Sequence, residues 1–119
     1  DKEAKRKEMA DMIASSAGVK EKCVARIMDR KAKEEARKMA IRTVRNYTYH
    51  EYADDFLKFV ADRENSTRLR VIMAEALGWF THSGKAPDIV EGCRRILAEE
   101  KDMAPELRGE LTQTIIRLQ

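Results

Sequence analysis

Proline occurs only twice and glycine five times in 119 residues, so few positions carry a residue that breaks a regular element. Two cysteines are too few for a disulfide-stapled scaffold, and neither sits in a Cys/His pattern spaced for zinc or redox chemistry. Stretches of β-branched residues alternating with polar ones and bounded by turn residues are missing, which argues against a sheet. No apolar run approaches the roughly 18–20 residues that cross a bilayer, and no leader peptide is visible. The chain begins at Asp1 rather than Met, so localisation is only weakly set, towards the cytoplasm.

What the chain has in abundance is Ala, Glu, Lys, Arg and the unbranched or γ-branched apolar residues, which lose least on entering a helix. The fold class expected is all-α, as one domain over residues 1–119. Net charge is a mild +3 but unevenly spread: residues 1–46 hold fourteen Lys/Arg against eight Asp/Glu, and the remainder ten against thirteen. That asymmetry raises the prior for an acidic partner or nucleic acid.

Turn-prone clusters at Ser15-Ser16-Ala17-Gly18, Asn46-Tyr47-Thr48, Glu64-Asn65-Ser66, Thr81-His82-Ser83-Gly84 and Asp102-Met103 divide the chain into about seven helices. Apolar residues recur at three-to-four spacing in each. The stripes are Met9/Met12/Ile13/Ser16, then Cys23/Val24/Ile27/Met28, then Ala36/Met39/Ala40/Thr43/Val44. They continue with Tyr52/Phe56/Phe59/Val60, Leu69/Ile72/Met73/Ala76/Leu77/Phe80, Ile89/Val90/Cys93/Ile96/Leu97 and Leu107/Leu111/Thr114/Ile115/Leu118. Thr48-Tyr49-His50-Glu51 has the form of a capping box, and Pro87 and Pro105 stand where a first helical turn would begin.

The chain also resembles itself. Ala36–Tyr47 overlays Leu69–Phe80 at an offset of 33, and Leu69–Phe80 overlays Leu107–Leu118 at 38, which puts Arg37, Arg70 and Arg108 in one register. Cys23, Phe56 and Cys93 share another, as do Ile27, Val60 and Leu97. Three helical pairs are therefore expected at residues 19–46, 48–80 and 86–119, preceded by an orphan helix at 2–16. An arginine repeated at a helix start suits the bonding of turn carbonyls or acids. A pair of this kind cannot bury its stripe alone, so neighbours are expected to stack into one core.

The segment Leu69-Arg70-Val71-Ile72-Met73-Ala74-Glu75-Ala76-Leu77-Gly78 resembles the second helix of a HEAT repeat: a hydrophobic-Arg pair, small residues, then Leu-Gly. The acidic residue of the preceding turn would be Glu64 or Asp102, with Lys31 as a departure in the first unit. The resemblance implies a right-handed α-α superhelix (an α-solenoid) that serves as a protein-interaction scaffold without catalysis, here resembling the C-terminal repeats of a longer protein. Its second helices would line a concave face bearing Lys38, Arg42, Arg45, Val71, Glu75 and Gln113. Tyr47, Tyr49 and Trp79 are the aromatic contact candidates. A truncated N-terminal face would expose Met/Ile side chains, a docking surface for another repeat or for self-association.

Chemistry finds little purchase. His50 precedes Asp54 by one helical turn, but a third and fourth metal ligand are not evident. His82 belongs to no triad. The cysteines, two repeats apart, read as small core residues on the order of 20 Å from each other, beyond disulfide reach. The three tyrosines between residues 47 and 52 read as rings sealing a junction between pairs. Lys38, Arg42 and Arg45 form a basic stripe opposite Met39/Ala40/Val44, but their register-mates Val71, Glu75 and Gly78, then Gly109, Gln113 and Ile116, are not basic. Nucleic-acid binding would need such a stripe to continue, so it stands as the alternative. No catalytic residue, metal or cofactor is expected; the expected partner is an unidentified protein, with an acidic one among the candidates. Solenoid relatives that cleave DNA bases or attach bilins supply a remoter enzyme alternative.

Overall fold

The computed structural model describes residues 2–119, with side chains for all of these except residues 9–17. Among the described residues the chain is all-helical: α1 Lys2–Met28, α2 Glu34–Tyr47, a 3-10 turn at His50–Tyr52, α3 Ala53–Ala61, α4 Thr67–Leu77, α5 Ala86–Glu99 and α6 Pro105–Leu118. α1 packs on α2, α3 on α4 and α5 on α6; α2, α4 and α6 also lie side by side, and α3 touches α5. The result is two layers, with α4 between α2 and α6.

Local chemistry explains most boundaries. Ser66 caps α4, its hydroxyl accepting from the Leu69 amide at 3.2 Å. Pro87 and Pro105 fall in the first turns of α5 and α6, as expected. Two expectations fail. Helix α1 runs unbroken through Ser15–Gly18, so residues 2–16 are not a separate helix. Each Ser or Gly there costs at most about 1 kcal/mol, and no proline removes an amide. The stripe at Met9, Met12, Ile13 and Ser16 lies outside the described side chains. The capping box does not form either. Thr48 takes the left-handed conformation, φ 42°, and ends α2, its amide bonding the Val44 carbonyl at 2.7 Å. Helix α3 then starts later, at Ala53, and Glu51 pairs with Lys20 instead.

The core is the expected stripes turned inward: Ile27, Val44, Phe56, Val60, Leu69, Met73, Leu77, Phe80, Ile89, Cys93, Leu107 and Leu111 are all fully or nearly fully buried. Phe56 meets Phe80 edge-on, ring centroids 6.3 Å apart, a geometry worth about 0.5–1.5 kcal/mol beyond burial. Small residues set the close approaches. A Cβ on Gly92 of α5 would lie 2.8 Å from Leu57 Cδ1 of α3. Thr114 of α6 donates to the Ala74 carbonyl of α4 at 2.6 Å, beside Gly78.

The register-sharing arginines hold the units together. Arg37 Nε donates to the Ile27 carbonyl at 3.0 Å, and Arg70 Nε to the Val60 carbonyl at 2.6 Å; each reaches back ten residues to the end of its own first helix. The guanidinium tips then reach forward. Arg37 bonds Asn65 Oδ1 at 3.2 Å, and Arg70 grips both oxygens of Glu100, one at 3.0 Å. Arg108 reaches only the Glu100 carbonyl, at 3.4 Å.

The turns add a second ladder. Asp29, Asp62 and Glu100 each follow the first helix of a unit. The expectation from sequence is Glu64 or Asp102, two residues later, with Lys31 a departure in the first unit; in the structure all three units carry an acid at the helix end. Asp29 and Asp62 accept their own turn amides, from Lys31 at 2.9 Å and Glu64 at 3.0 Å. Arg30 pairs with Asp62 and Glu64 of the next turn; Arg63 pairs with Glu100 at 3.6 Å and Asp102 at 3.3 Å. These pairs are mostly exposed and contribute up to about 1 kcal/mol each.

The bonds from Arg70 hold the Glu100 carboxyl below its ordinary value of 4.5, against the opposing effect of burial. A depressed folded value means the stabilisation is complete above the ordinary carboxylate range and is lost as pH falls through the lower folded value. Urea midpoints measured between pH 7 and pH 3 should therefore fall less steeply in Arg70→Met than in the parent chain. Parallel slopes would show that Glu100 does not depend on Arg70.

Candidate functional site

Two surface regions are built by this packing. The first crosses the second helices. The indole of Trp79, immediately after α4, is 46% exposed and lies between two guanidinium groups. Arg45 of α2 is 4.8 Å from the ring centroid and Arg117 of α6 5.5 Å. Arg45 also pairs with Glu75 of α4 at 3.0 Å. Arg45 of α2 is thus brought to Glu75 and Trp79 at the end of α4, and Arg117 of α6 joins them from a third segment. Arg117 was missed in the sequence, although it is the register-mate of Trp79 at the same offset of 38 that relates Arg70 to Arg108.

The other candidates scatter. Arg42 and Gln113 are exposed, Lys38 and Glu75 half-buried, and Val71 packs against the core. Glu110 is half-buried on α6, and burial followed by the nearby Glu75 charge raises its pKa, with Arg117 opposing. The basic stripe is weaker than it reads in sequence, because Arg45 is occupied by Glu75 and Trp79.

At the start of α3 the tyrosines divide. Tyr49 and Tyr52 pack against the core, and Tyr52 leans on Phe56 with centroids 6.1 Å apart. Tyr47 is 69% exposed and stacks on Tyr49 at 6.3 Å, and Lys20 lies over the Tyr49 ring at 5.4 Å. Two of the three rings seal the junction, and Tyr47 is left at the surface.

The second region is a groove of about 450 Å³ between α1 and α2, lined by Val19, Lys22, Cys23, Arg26, Ala36, Met39, Ala40 and Thr43. Met39 was expected in the core and is 66% exposed, while Ile41, absent from the expected stripe, is fully buried. The register explains the exchange. The register-mates of Met39 are Ile72 and Glu110, half-buried where α4 follows α2 and α6 follows α4. Met39 occupies the same edge of α2, where none of α3 to α6 lies. Val19 is exposed beside it, and Lys22 and Arg26 flank the apolar floor.

Both cysteines are free. Cys93 is buried in the core, and burial pushes its thiol up to about 12. Cys23, half-buried on the groove floor, donates to the Ala40 carbonyl at 3.2 Å, and burial raises its pKa against the opposing charge of Arg26. His50 and His82 are exposed, and His50 Nε2 lies 3.8 Å from Glu51. Among the described residues no group of three or more His, Cys, Asp or Glu could hold a metal ion. None of their helices is long and apolar enough to cross a membrane.

Compared with protein-family models, curated proteins and solved structures, the chain matches none.

The burial difference between the thiols gives a direct check. Ellman's reagent at pH 8 should modify at most one thiol per folded chain, and that one slowly, with the second appearing only in denaturant. Rapid modification of two thiols in the native protein would place Cys93 outside the core.

Proposed function

We propose that this chain is a segment of a HEAT-like α-solenoid, its pairs winding as a right-handed superhelix, and that it docks another protein without chemistry of its own. The observation that carries the reading is the apolar groove of α1 and α2, open at the edge of a stack whose inner edges are covered. Supporting it, the arginine bonds recur from unit to unit, as a modular stack requires. The strongly perturbed groups also have structural explanations: Cys93 lies in the core and Glu100 is held by Arg70.

The groove suits an amphipathic helix of a partner protein. Val19, Ala36, Met39 and Ala40 would take its apolar stripe, and Lys22 and Arg26 favour acidic residues beside that stripe. Nucleic acid is less well supported. With Arg45 tied to Glu75, the stripe retains Lys38 and Arg42, which limits the number of phosphates it can neutralise.

Selection of a displayed library of helical peptides on the parent chain tests the reading. Enriched peptides should be amphipathic and acid-flanked. Their binding should fall at least tenfold in a Val19→Glu/Met39→Glu variant whose melting is unchanged, since both side chains are exposed. Binders indifferent to those substitutions would sink the groove. Steeply salt-dependent binding of random duplex DNA, lost in a Lys38/Arg42/Arg45→Ala variant, would favour the nucleic-acid reading instead.

A further inference from the structure

The first helices do not meet alike at the two junctions inside the stack. At one, α3 touches α5, and Leu57 packs so closely on Gly92 that a Cβ there would lie 2.8 Å from Leu57 Cδ1. In the register of Cys23, Phe56 and Cys93, the same places at the other junction fall to Val24 of α1 and Asp55 of α3. The advancing side chain is shorter, and the receiving position carries a carboxylate in place of glycine. A cleft of about 310 Å³ lies at this junction, lined by residues of α1, α2 and α3. It shares no lining residue with the α1–α2 groove.

Arg37 lines the cleft and is 7% exposed. Its partners are all neutral: the Ile27 carbonyl, the Asn65 amide oxygen and the Phe59 ring, whose centroid is 5.4 Å away. A buried charge is ordinarily paired with an opposite one. Asn65 cannot give way to an acid, because its Nδ2 donates to the Phe59 carbonyl at 3.0 Å. Asp62 also lines the cleft, but it pairs with Arg30 and accepts the Glu64 amide. Among the described residues Arg37 Nη1 makes no hydrogen bond, and no fully buried side-chain nitrogen lacks a partner. That nitrogen is therefore accessible, and the cleft is the opening that Arg37 lines.

We propose that this cleft binds a small monocarboxylate with an apolar body. The carboxylate takes the open Nη1 of Arg37 and the ammonium of Lys58, which pairs with no acid among the described residues. Val24, Met28 and Phe59 receive the apolar body. At roughly 30 Å³ for each water of liquid volume, the space suits a ligand of about ten non-hydrogen atoms. Asp55 and Asp62 stand in the same lining, which favours a single negative charge over the two of a phosphate.

The probe is isocaproate, titrated into the parent chain at constant ionic strength and followed by the methyl signals of Val24 and Met28. These signals should shift saturably, with a dissociation constant of about 1 mM or lower, within the reach of a ligand of this size. Isocaproamide, which has the same shape without the charge, should bind at least about tenfold more weakly. Both Lys58 and Asp55 are exposed, so neither Lys58→Gln nor Asp55→Asn should alter melting. The first should weaken isocaproate severalfold and the second should tighten it. Methyl signals that do not move, or acid and amide of equal affinity, would overturn the proposal. So would tighter binding of N-acetylated peptides ending in leucine, because the cleft would then serve a chain terminus. Peptide selection on the α1–α2 groove does not enter this titration, so either surface can fail without the other.

Discussion

A buried guanidinium between two helical pairs is the contact on which the rest of this molecule depends. Arg70 and Glu100 are both buried, and each would be costly alone: leaving one partner of such a pair unpaired destabilises by about 3–5 kcal/mol. Together with the Val60 carbonyl they form a closed set, and among the described residues no buried side-chain nitrogen or oxygen lacks a partner. Lysine could not substitute, since only the planar fork serves a carbonyl behind and a carboxylate ahead at once. Through this one side chain the end of α3, the start of α4 and the end of α5 are fixed relative to one another.

Around that centre the same design is repeated with decreasing completeness. Arg37 makes a one-point version with the amide oxygen of Asn65, a neutral acceptor where Arg70 has a carboxylate. Arg108 has the position, but among the described residues it bonds only the Glu100 carbonyl. Apolar exposure follows the same gradient, with middle-unit residues covered from both sides while Met39 at one edge and Ile116 at the other face outward. The proposed docking function rests on that gradient, from contacts satisfied inside the stack to apolar side chains exposed at its edges.

Much of this was legible before the structure. Helical periodicity located α2, α4, α5 and α6, though it split α1 in two and began α3 too early, and the register of Arg37, Arg70 and Arg108 anticipated bonds to turn carbonyls and acids. Details decided by competition between neighbouring residues were not. Thr48 and Glu51 have the spacing of a capping box, but the amide of Thr48 closes α2 and the carboxylate of Glu51 has Lys20. Met39 and Ile41 differ little in hydrophobicity; which one is buried depends on where α4 lies, which no local window contains. Trp79 was a visible candidate, yet its two cations come from helices before and after it, and Arg117 was legible only by carrying the repeat offset past the core positions.

The central claim, that a buried arginine clamp joins successive units, is tested most directly by a double-mutant cycle on Arg70 and Glu100. Both positions would be changed to Met singly and together, with stability measured in urea at pH 7. The account requires a coupling of about 2 kcal/mol or more, with the double variant more stable than the two single losses would add up to. A coupling indistinguishable from zero would mean that the two side chains meet without holding the pairs together, and would contradict it.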